Sequence, residues 1–377
     1  MFFYVFLFLT FIYLMMYLFR LNAKIYSLFI LMTIAIPAAI FDPVEAYLYH
    51  DIQLDTFRIF NEMFWFRTRG WEGLRTYDGV IGSKAYIYFF SLFDCDILLP
   101  IATVILSYGV MIYMLNVIGK ELQISERIKC LTILGCVLSQ SYLYIFTNIR
   151  MPLATAIVSA LFARDLLIKK SIFTCRVVAF FMCFFHQGVL IMFLARFMAN
   201  FMRYFIIILA GIIVIYQSKF EDIVNILMSF NNDFFVGVGL KFLSYSDKDS
   251  AISMFRYVYL WIDVFIVYFL SLYIKHRIPK DCKAESIRVF LNISIMLVMF
   301  CFVGLTSSVI STDLIARPIW IVSWFFMFYP YICHILFKIY RDDIYLRINK
   351  YVKIWFCIFV LINFMYHIIY MSHSIFY

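Results

Sequence analysis

The sequence predicts an all-α, polytopic integral membrane protein, and three observations predict it. Of its 377 residues, 65% are hydrophobic and 15% are charged, against about 45–50% apolar and about 25% charged in an ordinary soluble domain. Apolar runs of 17 or more residues recur along the whole chain, each long enough to cross about 30 Å of hydrocarbon as a helix. The runs also lack the alternation of a transmembrane β-barrel: between Phe2 and Phe19 only tyrosines and one threonine interrupt the apolar residues.

Spans are expected at about 2–19, 25–41, 97–118, 130–147, 150–167, 172–186, 188–202, 204–216, 256–274, 289–306, 317–336 and 354–371. That makes about twelve transmembrane helices in a single membrane domain over 1–377. Residues 172–202 are read as a short hairpin turning at His186-Gln187-Gly188, with Gly188 suited to a tight turn. One long helix there would place the Lys275–Arg288 cluster on the opposite side and erase the charge bias described next.

With the N-terminus outside, 21 of the 32 basic residues fall in cytoplasmic connections. Arg20 and Lys24, then Lys120, Arg127 and Lys129, then Arg164 to Arg176, Lys275 to Arg288 and Lys338 to Lys353 supply most of them. Acidic residues run the other way, 15 of 23 lying outside. Short-loop Lys and Arg mark the cytoplasmic face, so the net charge of +9 is an orientation signal and implies no nucleic-acid partner. Of the nine cysteines only Cys95 falls outside, which leaves no external disulfide and reads the others as small packing residues. The first apolar run lacks a basic n-region and a small-residue cleavage site, and is expected to stay as a span.

Two outer segments, 42–96 and 217–255, are too long for simple connections, a length that tends to go with function. Each is expected to carry an interfacial helix, at Ala85–Phe93 and Ile223–Phe230.

Polar residues at membrane depth are costly and tend to mark function. Thr147-Asn148-Ile149-Arg150-Met151-Pro152 opens the fifth span, followed by the small-residue run Ala154–Ala160. His186 sits at the hairpin tip, Arg256 and Arg317 begin two later spans with Asp313 just before Arg317, and Asp55 and Asp78 lie in the first outer loop. Guanidinium groups grip phosphate oxygens bidentately and keep their charge, so Arg150, Arg317 and Arg256 are candidate ligands for a lipid-linked pyrophosphate. A glycosyl transfer also needs a base, and His186, Asp55 and Asp78 are the candidates. Taken singly, an arginine at a helix end usually snorkels to headgroups, and a histidine in an apolar run is more often a packing residue. Asp263 lies seven residues after Arg256, on roughly the same helix face, and either neutralises it in part or relays protons. Asp94-Cys95-Asp96 lacks a third ligand nearby, so no metal and no cofactor are expected.

The segments Asn148-Ile149-Arg150-Met151-Pro152-Leu153-Ala154 and Phe185-His186-Gln187-Gly188-Val189-Leu190 together resemble the EpsG-like, Wzy-type polysaccharide polymerases. In that family an N-x-R-x-x-[LI]-A segment precedes an H-x-[SG]-[AV]-[LI] segment. Leu54-Asp55-Thr56 is similar to the family's G-x-D-T, and Tyr77-Asp78-Gly79-Val80 stands in the place of its E-P-G-[YF]; Gln53 replaces the glycine, Asp78 the glutamate and Val80 the aromatic. Arg317 sits where a further arginine is common.

The resemblance implies an inverting, metal-independent glycosyltransferase of the bacterial cytoplasmic (inner) membrane, its active site facing the periplasm or exterior. It would join undecaprenyl-pyrophosphate-linked oligosaccharide repeats into O-antigen, capsule or exopolysaccharide, alongside a flippase and a chain-length regulator. Arg150, Arg317 and Arg256 would hold pyrophosphate, His186, Asp55 and Asp78 would serve the chemistry, and Asn148 and Asp313 would support them. The main alternative is a transporter or flippase of the same lipid-linked oligosaccharides.

Overall fold

A computed structural model describes residues 2–41, 55–70, 72–73, 80–202, 204–206, 222, 225–226, 228–229, 254–279, 284–306, 321–341 and 343–376. Helices account for the regular structure, and no strand occurs among the described residues. Seven helices there are long and apolar enough to cross a membrane: Ala23–Ile40, Leu98–Glu121, Arg150–Ile168, Val258–Arg277, Glu285–Phe302, Ile321–Tyr340 and Asp343–Ile369. An eighth is obtained if the pair Glu126–Ser139 and Tyr142–Asn148, bent by 64°, is one span. Phe3–Leu18 and Ile172–Phe184 are apolar but shorter. Most of the expected span at 204–216 and most of the 217–255 loop lie outside the described residues; inside Ile223–Phe230, residues 225–226 and 228–229 are helical.

Two compact units divide the chain, Met1–Phe193 with Ser323–Tyr377 (unit 1) and Leu194–Val322 (unit 2). Unit 1 opens with α1 (Phe2–Leu18), α2 (Ala23–Thr33) and α3 (Ile36–Ile40). Pro37 has no N–H, so the ladder breaks before it. The Tyr142 hydroxyl spans the break, donating to the Ile34 carbonyl and accepting the Ala38 N–H at 3.1 Å.

The first long loop is a helical hairpin, α4 (Asp55–Arg69) and α5 (Ile81–Ser91). The expected lipid-skimming helix at Ala85–Phe93 is thus one half of a pair with its own core, Ile59, Met63, Phe66 and Ile87 closing on Leu99 and Ile149. Arg67 pins the pair to the next span, donating to the carbonyls of Ser91 at 2.9 Å and Phe93 at 3.1 Å and pairing with Asp96. Asp96 is therefore engaged in holding the hairpin.

The chain continues as α6 (Leu98–Glu121), α7 (Glu126–Ser139), α8 (Tyr142–Asn148) and α9 (Arg150–Ala163), which ends in a π-turn at Arg164–Ile168. Next come α10 (Ile172–Phe181) and α11 (Leu190–Met198), within which the unit boundary falls. Unit 2 contains α12 (Met254–Arg277) and α13 (Glu285–Thr306), joined by a comb of rings in which Phe302 meets Trp261, Phe265 and Tyr268 at 5.3–5.6 Å. The last helices, α14 (Tyr329–Tyr340) and α15 (Asp343–Phe376), return to unit 1. At 34 residues α15 is about 51 Å long, so the basic stretch Arg347–Lys353 forms its first turns instead of a loop.

Direct bonds sort the connections of unit 1 by end. Glu126 accepts the Ala23 N–H at 2.9 Å, Lys170 bonds Glu121 at 2.8 Å, and Lys338 bonds the Gln123 side chain at 2.8 Å. The connections carrying Arg20, Arg127, Lys170 and Lys338 therefore meet at one end, here termed the basic end. The α4–α5 hairpin is pinned near the start of α6, about 36 Å away along that helix.

Inside the bundle α7 and α15 approach closely: a Cβ on Gly135 would fall 2.6 Å from the Phe356 ring. Gly135→Val is expected to lower stability by about 1–3 kcal/mol through overpacking, read as a lower unfolding temperature in detergent, with partial recovery in Gly135→Val/Phe356→Leu. With the other cysteines replaced, native Cys95, which is exposed, and a cysteine introduced at Lys170 are expected to react with an impermeant thiol reagent from opposite sides.

Candidate functional site

The segment around Arg150 is built on backbone strain. α8 ends at Asn148 and α9 begins at Arg150, with Ile149 alone between them at φ 39°, ψ −66°. A β-branched residue at positive φ is an outlier, and such conformations cost on the order of 1–3 kcal/mol and cluster at functional sites. Ile149 is held there by complete burial in the core under the α4–α5 hairpin. The reversal puts Arg150 on the first residue of a helix, where a cation opposes the macrodipole. Neither helix stability nor dipole electrostatics accounts for an arginine at this point.

Two distant segments are brought to this reversal. Thr56, buried in the first turn of α4, donates its hydroxyl to the carbonyls of Thr147 at 3.0 Å and Phe146 at 3.3 Å. The start of α4, and with it Asp55, is therefore docked on the Thr147–Asn148 end of α8. Asn148 bonds the Thr147 hydroxyl at 3.2 Å, and the Tyr144 hydroxyl meets the Met151 sulfur at 3.2 Å.

The second segment is His186-Gln187-Gly188. The helix stops here: α10 passes into a 3-10 turn at Met182–Phe184, His186 is non-helical, and a second 3-10 turn covers Gln187–Val189. Gly188 fits this place for a reason other than turn geometry, since its φ is not in the left-handed region. A Cβ on it would lie 2.9 Å from His186 Nδ1 and 3.9 Å from the Met151 methyl. The Gly188 N–H donates to that same Nδ1 at 3.0 Å.

An N–H pointing at Nδ1 requires a lone pair there, and the ring's remaining nitrogen then carries the proton. In the neutral ring this contact assigns the proton to Nε2, a hydrogen-bond donor. α5 backs this segment: a Cβ on Gly82 would fall 2.7 Å from the Phe184 carbonyl, and the Tyr86 and Phe185 rings lie 5.4 Å apart. Burial pushes the Tyr86 phenol up to about 12, with the hydrogen bond to Thr103 acting against the shift, so the phenol stays protonated at neutral pH.

The structure thus gathers Arg150, Asn148, His186 and the backbone of Asp55 at the end of unit 1 that also holds the α4–α5 hairpin. Asp78, Asp313 and Arg317 lie outside the described residues. Arg256 is in α12 of unit 2, where only its helical position is described, and Asp263, on the same helix, is buried. Sequence reasoning quoted Thr56 only as part of a motif, missed Tyr86, and gave Gly188 a turn instead of a contact; a glycine two after His186 was the available signal for the last. Among the described residues no three His, Cys, Asp or Glu side chains converge as a metal site.

The chain matches no protein-family model, and it matches neither a curated protein nor a solved structure.

Thr56→Val keeps the shape and removes both carbonyl bonds. It is expected to cost about 1–2 kcal/mol, read as a lower unfolding temperature and faster proteolysis between α4 and α5.

Proposed function

We propose that the protein is a twelve-span polysaccharide polymerase of the bacterial cytoplasmic membrane, joining undecaprenyl-pyrophosphate-linked oligosaccharide repeats on the outer face. The observation that supports this reading best is the convergence of Thr56, the strained Asn148–Met151 reversal and His186–Gly188 at the end of unit 1 away from the basic connections. Loop charge puts the basic end in the cytoplasm; the gathered residues then face the flipped substrate.

In the proposed reaction an acceptor sugar hydroxyl attacks the anomeric carbon of the donor repeat with inversion. The bond from that carbon to the pyrophosphate oxygen breaks, and undecaprenyl pyrophosphate leaves. Arg150 grips the pyrophosphate, supported by the N-terminal amides of α9. The sequence pattern nominates Arg317 and Arg256 as further ligands, with Asp313 in support. His186 as the Nε2–H tautomer donates a hydrogen bond and positions substrate. The proton from the acceptor hydroxyl then goes to a carboxylate, Asp55 at the start of α4 or Asp78.

A transporter of the same lipid-linked sugars is the second reading, and the 64° break between α7 and α8 favours it, since broken spans recur at transporter substrate sites. Buried polar groups line that break: Gln140 bonds Ser323 at 2.9 Å and His367 bonds the Ser139 carbonyl at 3.2 Å.

In a deletion strain, the wild-type gene is expected to restore the polymer ladder on a glycan gel. Arg150→Ala with confirmed insertion should leave single repeats, a loss of at least about a hundredfold, and His186→Ala should do the same. Full-length polymer from both rejects the polymerase site. His186→Gln, which keeps a donor near Nε2, should retain part of the ladder, while Gly188→Ala should track His186→Ala; a null His186→Gln beside an active Gly188→Ala rejects the donor role. Loss of transport in His367→Leu with Arg150→Ala active would select the transporter.

A further inference from the structure

Unit 1 has a cavity at its basic end, about 270 Å³ in volume, lined by Tyr17, Arg20, Leu21, Glu126, Arg127 and Cys130. It lies where the end of α1 meets the start of α7, with Cys130 buried in its floor and both arginines exposed. Neither the Arg20 nor the Arg127 side chain takes part in an ion pair or hydrogen bond among the described residues. The one acid in the lining is already engaged: Glu126 accepts the Ala23 N–H at 2.9 Å and bonds Lys129 at 2.7 Å.

Two further features add to the positive potential there. The N-cap of α7, Ser125, makes no side-chain cap, so the positive end of the helix dipole opens beside Glu126 and Arg127, where anions are favoured. Lys24, in the first turn of α2, lies close enough to act on the Glu126 carboxylate.

We infer that this cavity binds a phosphate group, held by the guanidinium groups of Arg20 and Arg127, and that its source is the headgroup of an anionic phospholipid. Two guanidiniums with no carboxylate partner of their own match the geometry of phosphate oxygens. The apolar neighbours in sequence point to the lipid source: Leu14 and Leu18 on α1 and Phe19 just after it, flanking the lining residues Tyr17 and Arg20, are exposed by 40%, 58% and 78%, apolar surface along which acyl chains can lie. Basic pockets between transmembrane helices are a recognised headgroup site. The inference rests on the basic end alone and holds whether or not the opposite end is a polymerase.

The test uses the full chain in a neutral detergent, with bound molecules counted by native mass spectrometry. The probes are phosphatidylglycerol, phosphatidylcholine and inorganic phosphate. Wild type is expected to retain one phosphatidylglycerol, and Arg20→Gln and Arg127→Gln should each weaken retention about fivefold. Arginine-dependent binding of inorganic phosphate, without preference for phosphatidylglycerol over phosphatidylcholine, keeps the phosphate site and overturns the lipid source. Equal binding of every probe by wild type and the double glutamine variant overturns the site. If that variant fails to insert, R20K/R127K replaces it: it keeps the charge and loses the bidentate grip, so its retention should still fall, and unchanged retention overturns the inference.

Discussion

Hydrocarbon offers a backbone no hydrogen-bond partner, so wherever a membrane helix breaks, the freed groups must be met from within the protein. Unit 1 breaks its helices three times near α8, and the partners in each case are specific side chains. Tyr142 serves the break ahead of Pro37, bonding Ile34 and Ala38. His367 and Ser323 serve the break after Ser139, the first at the Ser139 carbonyl and the second at the Gln140 side chain. Thr56 serves the reversal at Ile149 by bonding the carbonyls of Phe146 and Thr147. The seven residues of α8 are thus the point from which the rest is set, because they carry Tyr142 at one end and the Thr56 acceptors at the other.

Holding α8 at both ends is what allows Ile149 to keep a conformation it would leave if free. The strain is repaid by complete burial of its side chain, and its consequence is placement: Arg150 starts α9 directly beside Met151, which touches the space that Gly188 leaves open for His186. The α4–α5 hairpin packs over Ile149 and is itself held by Arg67. In the neutral ring, the Gly188 N–H at Nδ1 leaves the His186 proton on Nε2.

Much of the fold was legible because the bilayer imposes a length. The spans expected at 25–41, 97–118, 150–167, 256–274, 289–306, 317–336 and 354–371 each coincide with a helix able to cross, since an apolar run of that size has few other uses. Helix breaks were less legible. The 130–147 run bends where Ser139-Gln140-Ser141 interrupts it, and the polar partners Ser323 and His367 that make the break tolerable lie far along the chain. The first long loop was read as a skimming helix because its other half, Asp55–Arg69, pairs with it through Ile59, Met63 and Phe66, and pairing leaves no local signature.

By itself the sequence determined an all-helical chain with membrane-spanning helices and a sorting of Lys and Arg by connection, because hydrophobic length and charge are local properties that a bilayer reads residue by residue. Tertiary structure alone decided that the connections carrying Arg20, Arg127, Lys170 and Lys338 share one end of unit 1. It alone decided that Asp55, Arg150 and His186 belong to segments packed together. Those outcomes depend on contacts between residues separated by tens to hundreds of positions, and on a strained turn that only the surrounding packing sustains.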